Sequence, residues 1–241
     1  MFKSGNPALK GDVFEREAGV IPADPMTIQG TVNKTLLSLA LVVFGAFMVW
    51  MKPLVFTPMI WPAAIIGFIV AIATVFRKTW APVTTPIYAL VEGVVLGTIS
   101  ALLERSYPGI VMQAVALTFG TLFCLLLAYS SGLIKATENF KLGIVAATGA
   151  IALIYIVSMV LGLFKIQIPF VFGGGPLGIL FSLFVVSIAA LNLVIDFDFI
   201  ETGAEAGAPK YMEWYGAFSL MITLVWLYME ILRLLAKTRQ R

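Results

Sequence analysis

The sequence predicts an all-α protein whose helices cross a lipid bilayer seven times. Of its 241 residues, 60% are hydrophobic and only 12% are charged, and the mean hydropathy is +0.99. Soluble domains contain only about 45–50% apolar residues, so this chain carries more apolar surface than a soluble core can bury. Charged residues and Pro/Gly clusters divide it into seven apolar pieces, each near the ~20 residues that a spanning helix needs.

The predicted spans are separated by short polar joints. We place them at 35–51, 55–76, 86–103, 110–130, 142–164, 176–197 and 214–235. A polar tail, residues 1–34, precedes the first span, and a basic tail, residues 236–241, follows the last. No joint is long enough for a soluble catalytic domain, so we expect a membrane domain at 35–235 with no enzymatic activity and no cofactor.

The charged residues exclude several classes of function. There is no histidine, which removes Ser-His-Asp triads, His-ligated zinc and the usual side chain for titration near neutral pH. The net charge of +3 comes with basic residues concentrated in the tails, which indicates attraction to lipid headgroups and not to nucleic acid. The loop charges favour an inside N-terminus and an outside C-terminus. Cysteine labelling at Ser4 and Gln240 should then occur from opposite sides.

Carboxylates inside or at the edges of the spans are the candidates for function. A charge at the bilayer centre costs at least roughly 2.5–3.5 kcal/mol, so such groups usually face the bundle interior and mark ion or proton paths. The alternative for each is an interfacial carboxylate reached by water, and Glu230 can also pair with Arg233 one turn on. The candidates are Glu92, Asp196, Asp198, Glu213 and Glu230.

Asp196 has further support because it continues a polar stripe. Ser182, Ala189, Asn192 and Asp196 lie at offsets of 7, 3 and 4, which places them on one helical face. Asp198 points about 200° away from Asp196 on the same helix. A polar stripe on an otherwise apolar helix should not face lipid, so we expect this face to point into the bundle.

A second seam runs along the seventh span. Its members recur at alternating steps of 3 and 4, the spacing of one face of an α-helix. We expect this face to line the pathway in the middle of the bundle. Close helix packing at Gly216 and Ser219, with the charged residues only reaching the interface, is the alternative. The members are Gly216, Ser219, Thr223, Trp226, Glu230, Arg233 and Lys237.

Small residues mark a face of the third span. Ala89, Gly93, Gly97 and Ala101 recur every four residues. Such spacing lets two helix backbones approach closely within lipid, so it predicts a packing face and not a ligand site.

Five stretches of the chain carry a family resemblance. They are residues 6–9 (NPAL), 88–93 (YALVEG), 192–201 (NLVIDFDFIE), 208–218 (APKYMEWYGAF) and 226–235 (WLYMEILRLL). These stretches resemble the bacterial branch of the Bax inhibitor, or transmembrane Bax-inhibitor-motif, family.

The resemblance implies a seven-helix bundle with the last helix at its centre, and a pH-sensitive calcium leak in the bacterial inner membrane. In relatives, two aspartates act as a pH-dependent latch, one at the end of the sixth helix and one within the seventh. Asp196 matches the first, but the position that matches the second is Thr223. The chain therefore departs from the pair, unless Glu213 or Glu230 substitutes for the missing acid.

The leading hypothesis is a cation leak channel, for Ca²⁺, gated by protonation of membrane-embedded carboxylates. Carboxylate oxygens suit hard cations, and Asp196 is the candidate calcium contact. The expected partners are the bilayer, Ca²⁺ and H⁺. The pathway residues are expected to be Asp196, Glu92, Asn192, Thr223, Glu213, Glu230, Arg233 and Asp198.

Two other functions stay open. Bacterial relatives are associated with a membrane-anchored AAA protease, so the chain could be a regulatory protein that uses residues 1–34 as a handle. A proton-coupled transporter would need an inverted repeat and broken helices, which the sequence does not show.

Overall fold

A computed structural model describes residues 24–166, 168, 171 and 173–239. Within them the chain is helical, and seven helices are long and apolar enough to cross a membrane, which confirms the predicted fold class. They are α1 (Ile28–Trp50), α2 (Pro53–Phe76), α3 (Lys78–Ser106), α4 (Ile110–Ser130), α5 (Glu138–Leu163), α6 (Pro176–Glu205) and α7 (Met212–Arg239). The 6–9 stretch and the labelling positions Ser4 and Gln240 lie outside the described residues.

Several helices extend beyond their predicted apolar spans. α1 begins at Ile28 and not at 35, because the Thr27 side chain accepts a hydrogen bond from Gly30 N and caps the helix there. α5 begins at Glu138, where Thr137 caps Phe140 N in the same way. Hydropathy finds only the apolar part of a helix, so residues 28–34 belong to α1 and not to a separate tail.

The far ends of α6 and α7 differ in the same sense. α6 continues to Glu205, so Asp196 and Asp198 lie within the helix. The predicted boundary at 197 had wrongly placed them at its end. α7 runs to Arg239, so residues 236–239 are helical and not a tail. Gly207, with a φ of +64°, adopts the left-handed conformation in the short turn between the two helices.

The last helix lies at the centre of the bundle, as the family resemblance implied. α7 packs against α1, α3, α4 and α6, whereas α2 packs mainly on α3 and α5 on α6. Large side chains of α7 are fully buried in this core, among them Tyr215, Phe218, Met221, Leu227 and Leu232. α2 lies at the periphery, where Trp61 and Phe76 are exposed as lipid-facing side chains would be.

α1 and α3 form the most extensive helix pair. A Cβ atom added to Gly93 would lie 2.3 Å from Val42 O, and one added to Gly97 would lie 2.4 Å from Ala46 Cα. Ala89 and Ala101 are buried in the same contact face. The small residues of α3 are therefore a packing face, as predicted.

Candidate functional site

Asp196 lies where α6 meets the central helix. Its side chain is only 1% exposed, and Ser219 Oγ of α7 donates a hydrogen bond of 2.8 Å to its Oδ1. The Thr223 hydroxyl lies beside the same carboxyl and donates to Ser219 O at 3.3 Å. Within the described residues Oδ2 makes no hydrogen bond. A buried carboxyl oxygen without a partner is costly, so Oδ2 is the unsatisfied polar atom of this contact.

The position that matches the second latch aspartate therefore does face Asp196. Ser219 donates its hydroxyl proton to the carboxyl, and the Thr223 hydroxyl lies beside it, at the position where the resemblance implied an acid. Neither Glu213 nor Glu230 takes the place of that acid beside Asp196. Glu213 is bound by Thr27 and Lys34, and Glu230 by Tyr155 and Arg233. Asp196 is thus a single carboxyl between two hydroxyl groups.

The polar stripe of α6 faces the interior, as predicted, but it contacts two different helices. Asn192 Nδ2 donates to Thr148 Oγ1 of α5 at 2.9 Å and to Ile188 O at 2.8 Å. Ser182 accepts a hydrogen bond from Lys237 of α7. Asn192 therefore ties α5 to α6 and supports the helix that carries Asp196.

Asp198 is directed elsewhere, in agreement with its predicted angle. Its Oδ2 lies 2.5 Å from Lys141 Nζ of α5, and its side chain is 23% exposed. It borders a polar cavity of about 380 Å³ that is also lined by Tyr129 and Glu201, which are hydrogen-bonded to each other. These contacts favour the interfacial alternative for Asp198, a carboxylate reached by water.

Glu213 is fully buried in the first turn of α7. It accepts hydrogen bonds from Thr27 N and Thr27 Oγ1 and pairs with Lys34, with Lys210 Nζ 3.4 Å away. Lys210 lies between α6 and α7, and the adjacent Asp24 carboxylate raises the pKa of its ammonium group above the usual range. Glu213 thus binds α1 and its preceding segment, apart from Asp196.

Glu230 lies in a second polar cluster nearer the other end of α7. Arg233 Nη1 donates to Glu230 Oε1 at 2.9 Å and to Oε2 at 3.0 Å, which confirms the predicted pair. Tyr155 OH of α5 also donates to Glu230 at 2.9 Å, and the Arg233 guanidinium lies 5.1 Å from the centre of the Tyr155 ring. Glu230 is 2% exposed, so its charge is neutralised inside the bundle.

The packing alternative expected Lys237 to reach the interface, but its side chain is buried in the bundle. It is 3% exposed, and its ammonium donates to Val171 O, Gly178 O and Ser182 Oγ at 2.7, 3.1 and 2.8 Å. These three bonds use all the protons of the group. Lys237 therefore joins the end of α7 to the start of α6.

Glu92 lies close to α2. It is half-buried on α3, and a Cβ added to Gly67 of α2 would lie 3.5 Å from its Oε2. The structure therefore brings Asp196 and Thr223 together, with Asn192 one turn away on α6 and bonded to α5. It places Glu92, Asp198, Glu213 and the Glu230–Arg233 pair at other positions. Among the described residues, no group of three or more Asp, Glu, Cys or His side chains could hold a metal ion.

The comparison with protein families identifies the family of this chain. Residues 6–240 match the family described as Bax inhibitor 1 like, which is nearly the whole length. The chain belongs to this family. The comparisons with curated proteins and with solved structures returned no match.

Membership makes this Bax inhibitor family protein a multi-pass membrane protein of a family associated with ion-channel-like roles. In this Bax inhibitor family protein, several residues that bind the candidate carboxylates could not be predicted from the sequence. Thr27 and Lys34 bind Glu213, Tyr155 binds Glu230 and Lys141 binds Asp198. Each pair joins residues that are distant in the chain, so helix periodicity could not reveal them.

Proposed function

We propose that this protein is a pH-sensitive cation leak channel, for Ca²⁺, of the bacterial inner membrane, with Asp196 as the gating group. The observation that carries the proposal is the position of Asp196. It is a buried carboxyl on α6, it is hydrogen-bonded to Ser219 of the central helix, and its second oxygen has no hydrogen bond among the described residues.

Protonation would change what this carboxyl can bind. An ionised aspartate only accepts hydrogen bonds, whereas a protonated one donates through one oxygen. In the ionised form Asp196 accepts from Ser219 and attracts a cation at Oδ2. In the protonated form that attraction is lost and Oδ2 can donate. A change of pH thereby alters both the contact of α6 with α7 and the affinity of the site for cations.

The chemistry of the surrounding groups fits weak binding of a hard cation. Ca²⁺ takes six to eight oxygen ligands, often several of them carboxylates. Asp196 is a single carboxylate accompanied by the hydroxyls of Ser219 and Thr223. Conduction requires a site that an ion can leave as well as enter, so one charged ligand suits a leak better than a storage site.

The test is calcium flux into liposomes that contain the purified protein and a trapped calcium-sensitive dye. We expect flux above that of protein-free liposomes, with a rate that changes with pH. Ser219→Ala removes the donor to Asp196 and should shift the pH at which the flux is half-maximal. Gly120→Ala, on a surface of α4 with no neighbouring atom, is the matched control and should behave as wild type.

Absence of flux at every pH would contradict the channel.

A further inference from the structure

One carboxylate holds the starts of two helices together at the end of the bundle opposite Lys237. Glu213, in the first turn of α7, has no exposed surface. Its Oε1 accepts from Thr27 N and Thr27 Oγ1, each at 2.9 Å, and its Oε2 pairs with Lys34 of α1. Both carboxylate oxygens are therefore occupied by groups of α1 or of the residue that caps it.

The close approach depends on a glycine in α1. A Cβ added to Gly30 would lie 2.0 Å from Glu213 Oε1, a distance at which the carboxylate would have to move. Gly30 N also donates to the Thr27 side chain. The positive end of the α1 dipole lies at this point, where a negative charge is stabilising. The absence of a side chain at Gly30, the Thr27 cap and the helix dipole all favour the Glu213 carboxylate at the start of α1.

The segment before α1 is attached to the same place. Met26 N donates to Ala208 O at 2.7 Å, and Pro25 forms an antiparallel bridge with Pro209. Asp24 lies 3.1 Å from Lys210 Nζ. We call residues 24–27 the strap. It is bound on one side to the turn before α7 and on the other to Glu213.

The strap and Asp196 act on the same two turns of α7. Gly216, between Glu213 and Ser219 along the helix, lies against Thr31 of α1 and Ile200 of α6. Ser219 then reaches Asp196. This stretch of α7 is held against α1 by Glu213 and against α6 by Asp196, so a shift of α7 at Glu213 moves Ser219 relative to Asp196.

We propose that Glu213 is a positioning residue that clamps the strap and α1 to α7 and so sets the register of Ser219 against Asp196. The clamp links the segment that leads out of the N-terminal tail to the central helix. Its effect on ion flux rests on the proposed channel function, whereas the clamp itself does not.

The clamp is tested by hydrogen exchange with mass spectrometry on the full-length protein in lipid nanodiscs. Glu213→Gln keeps the shape of the side chain and removes its charge. Residues 24–31 should then exchange faster on the order of tenfold, the change expected when a charged acceptor at a buried site is lost. Residues 212–219 should also exchange faster. Glu138→Gln, an exposed carboxylate at the start of α5, is the matched control and should leave both segments unchanged.

A second variant covers the case in which Glu213→Gln does not assemble. Gly30→Ala retains every charge and displaces the carboxylate, so it should reproduce the same exchange pattern. Unchanged exchange at residues 24–31 in whichever of the two variants assembles would overturn the clamp. Faster exchange at 24–31 with no change at 212–219 would overturn its control of α7.

Flux provides the functional readout. Glu213→Gln should shift the pH of half-maximal flux relative to Glu138→Gln, because Ser219 would bind Asp196 less well. An unshifted profile at wild-type rate would overturn the link to Asp196. If wild-type protein carried no flux, the channel proposal would fail, and the exchange pattern would still decide the clamp.

Discussion

The contact between α1 and α3 makes a quantitative prediction for Gly97→Ala. The new Cβ would lie 2.4 Å from Ala46 Cα and 2.7 Å from Ala46 O, both of them backbone atoms that no side-chain rotation can clear. Overpacking of this kind costs typically about 1–3 kcal/mol, and contact with backbone places Gly97 toward the upper part of that range. Alanine in place of glycine also favours the helix by about 1 kcal/mol.

Gly120→Ala separates these two effects. Gly120 lies in α4 with no atom within 4 Å of an added Cβ, so it gains the helix preference without the overpacking. The difference between the two variants is then the overpacking alone. With an overpacking cost of about 2–3 kcal/mol and about 2–4 °C per kcal/mol for a chain of this size, Gly97→Ala should melt about 4–12 °C below Gly120→Ala.

The assay is thermal unfolding of both purified variants in the same lipid nanodiscs, followed by circular dichroism. Wild-type protein should melt between them, because in Gly97→Ala the overpacking exceeds the helix preference of about 1 kcal/mol. Equal melting temperatures for the two variants would refute the close approach of α1 to α3. So would a stabilising effect of Gly97→Ala as large as that of Gly120→Ala.

Two further predictions concern α7. Arg233→Met should lower stability by about 3–5 kcal/mol, because it leaves the buried Glu230 charge without its cation, and adding Glu230→Gln should restore most of the loss in the same unfolding assay. Cys124 is the single cysteine of the chain and is exposed, so it is first replaced by Ser. In that background, Thr223→Cys should react with a small hydrophilic thiol reagent under conditions of flux. Leu224→Cys, which lines an apolar cavity of about 250 Å³, should not react, and reaction at Leu224→Cys alone would place the pathway elsewhere.

The fold was largely predictable because the length and hydropathy of a segment identify it as a membrane helix. The helix ends were less so. α1 starts before its apolar run because Thr27 caps it. α6 continues to Glu205, and the prediction stopped short of that end because its polar residues do not contribute to an apolar window. The spacing of the small residues of α3 predicted a packing face, but it could not predict that α1 packs there.

The site was predictable only where one helix face carried the information. The periodicity of α6 and α7 placed Asp196, Ser219 and Thr223 in the interior, and the structure brings them together. Periodicity could not tell which helix a polar residue meets. Glu213 was a candidate pathway residue as a carboxylate at the edge of a span, yet it binds Thr27 and Lys34 of another part of the chain. Those contacts depend on how the helices are arranged.

The most direct test of the account compares Asp196→Asn with Asp198→Asn in the liposome calcium assay. The two residues are close in sequence and lose the same charge, but Asp196 faces Ser219 in the core whereas Asp198 pairs with Lys141 at a polar cavity. Asparagine cannot titrate, so Asp196→Asn should flatten the dependence of calcium flux on pH, while Asp198→Asn should keep the wild-type profile. Equal effects of the two substitutions, or a wild-type pH profile in Asp196→Asn protein that is inserted at normal levels, would contradict the assignment of Asp196 as the gating group.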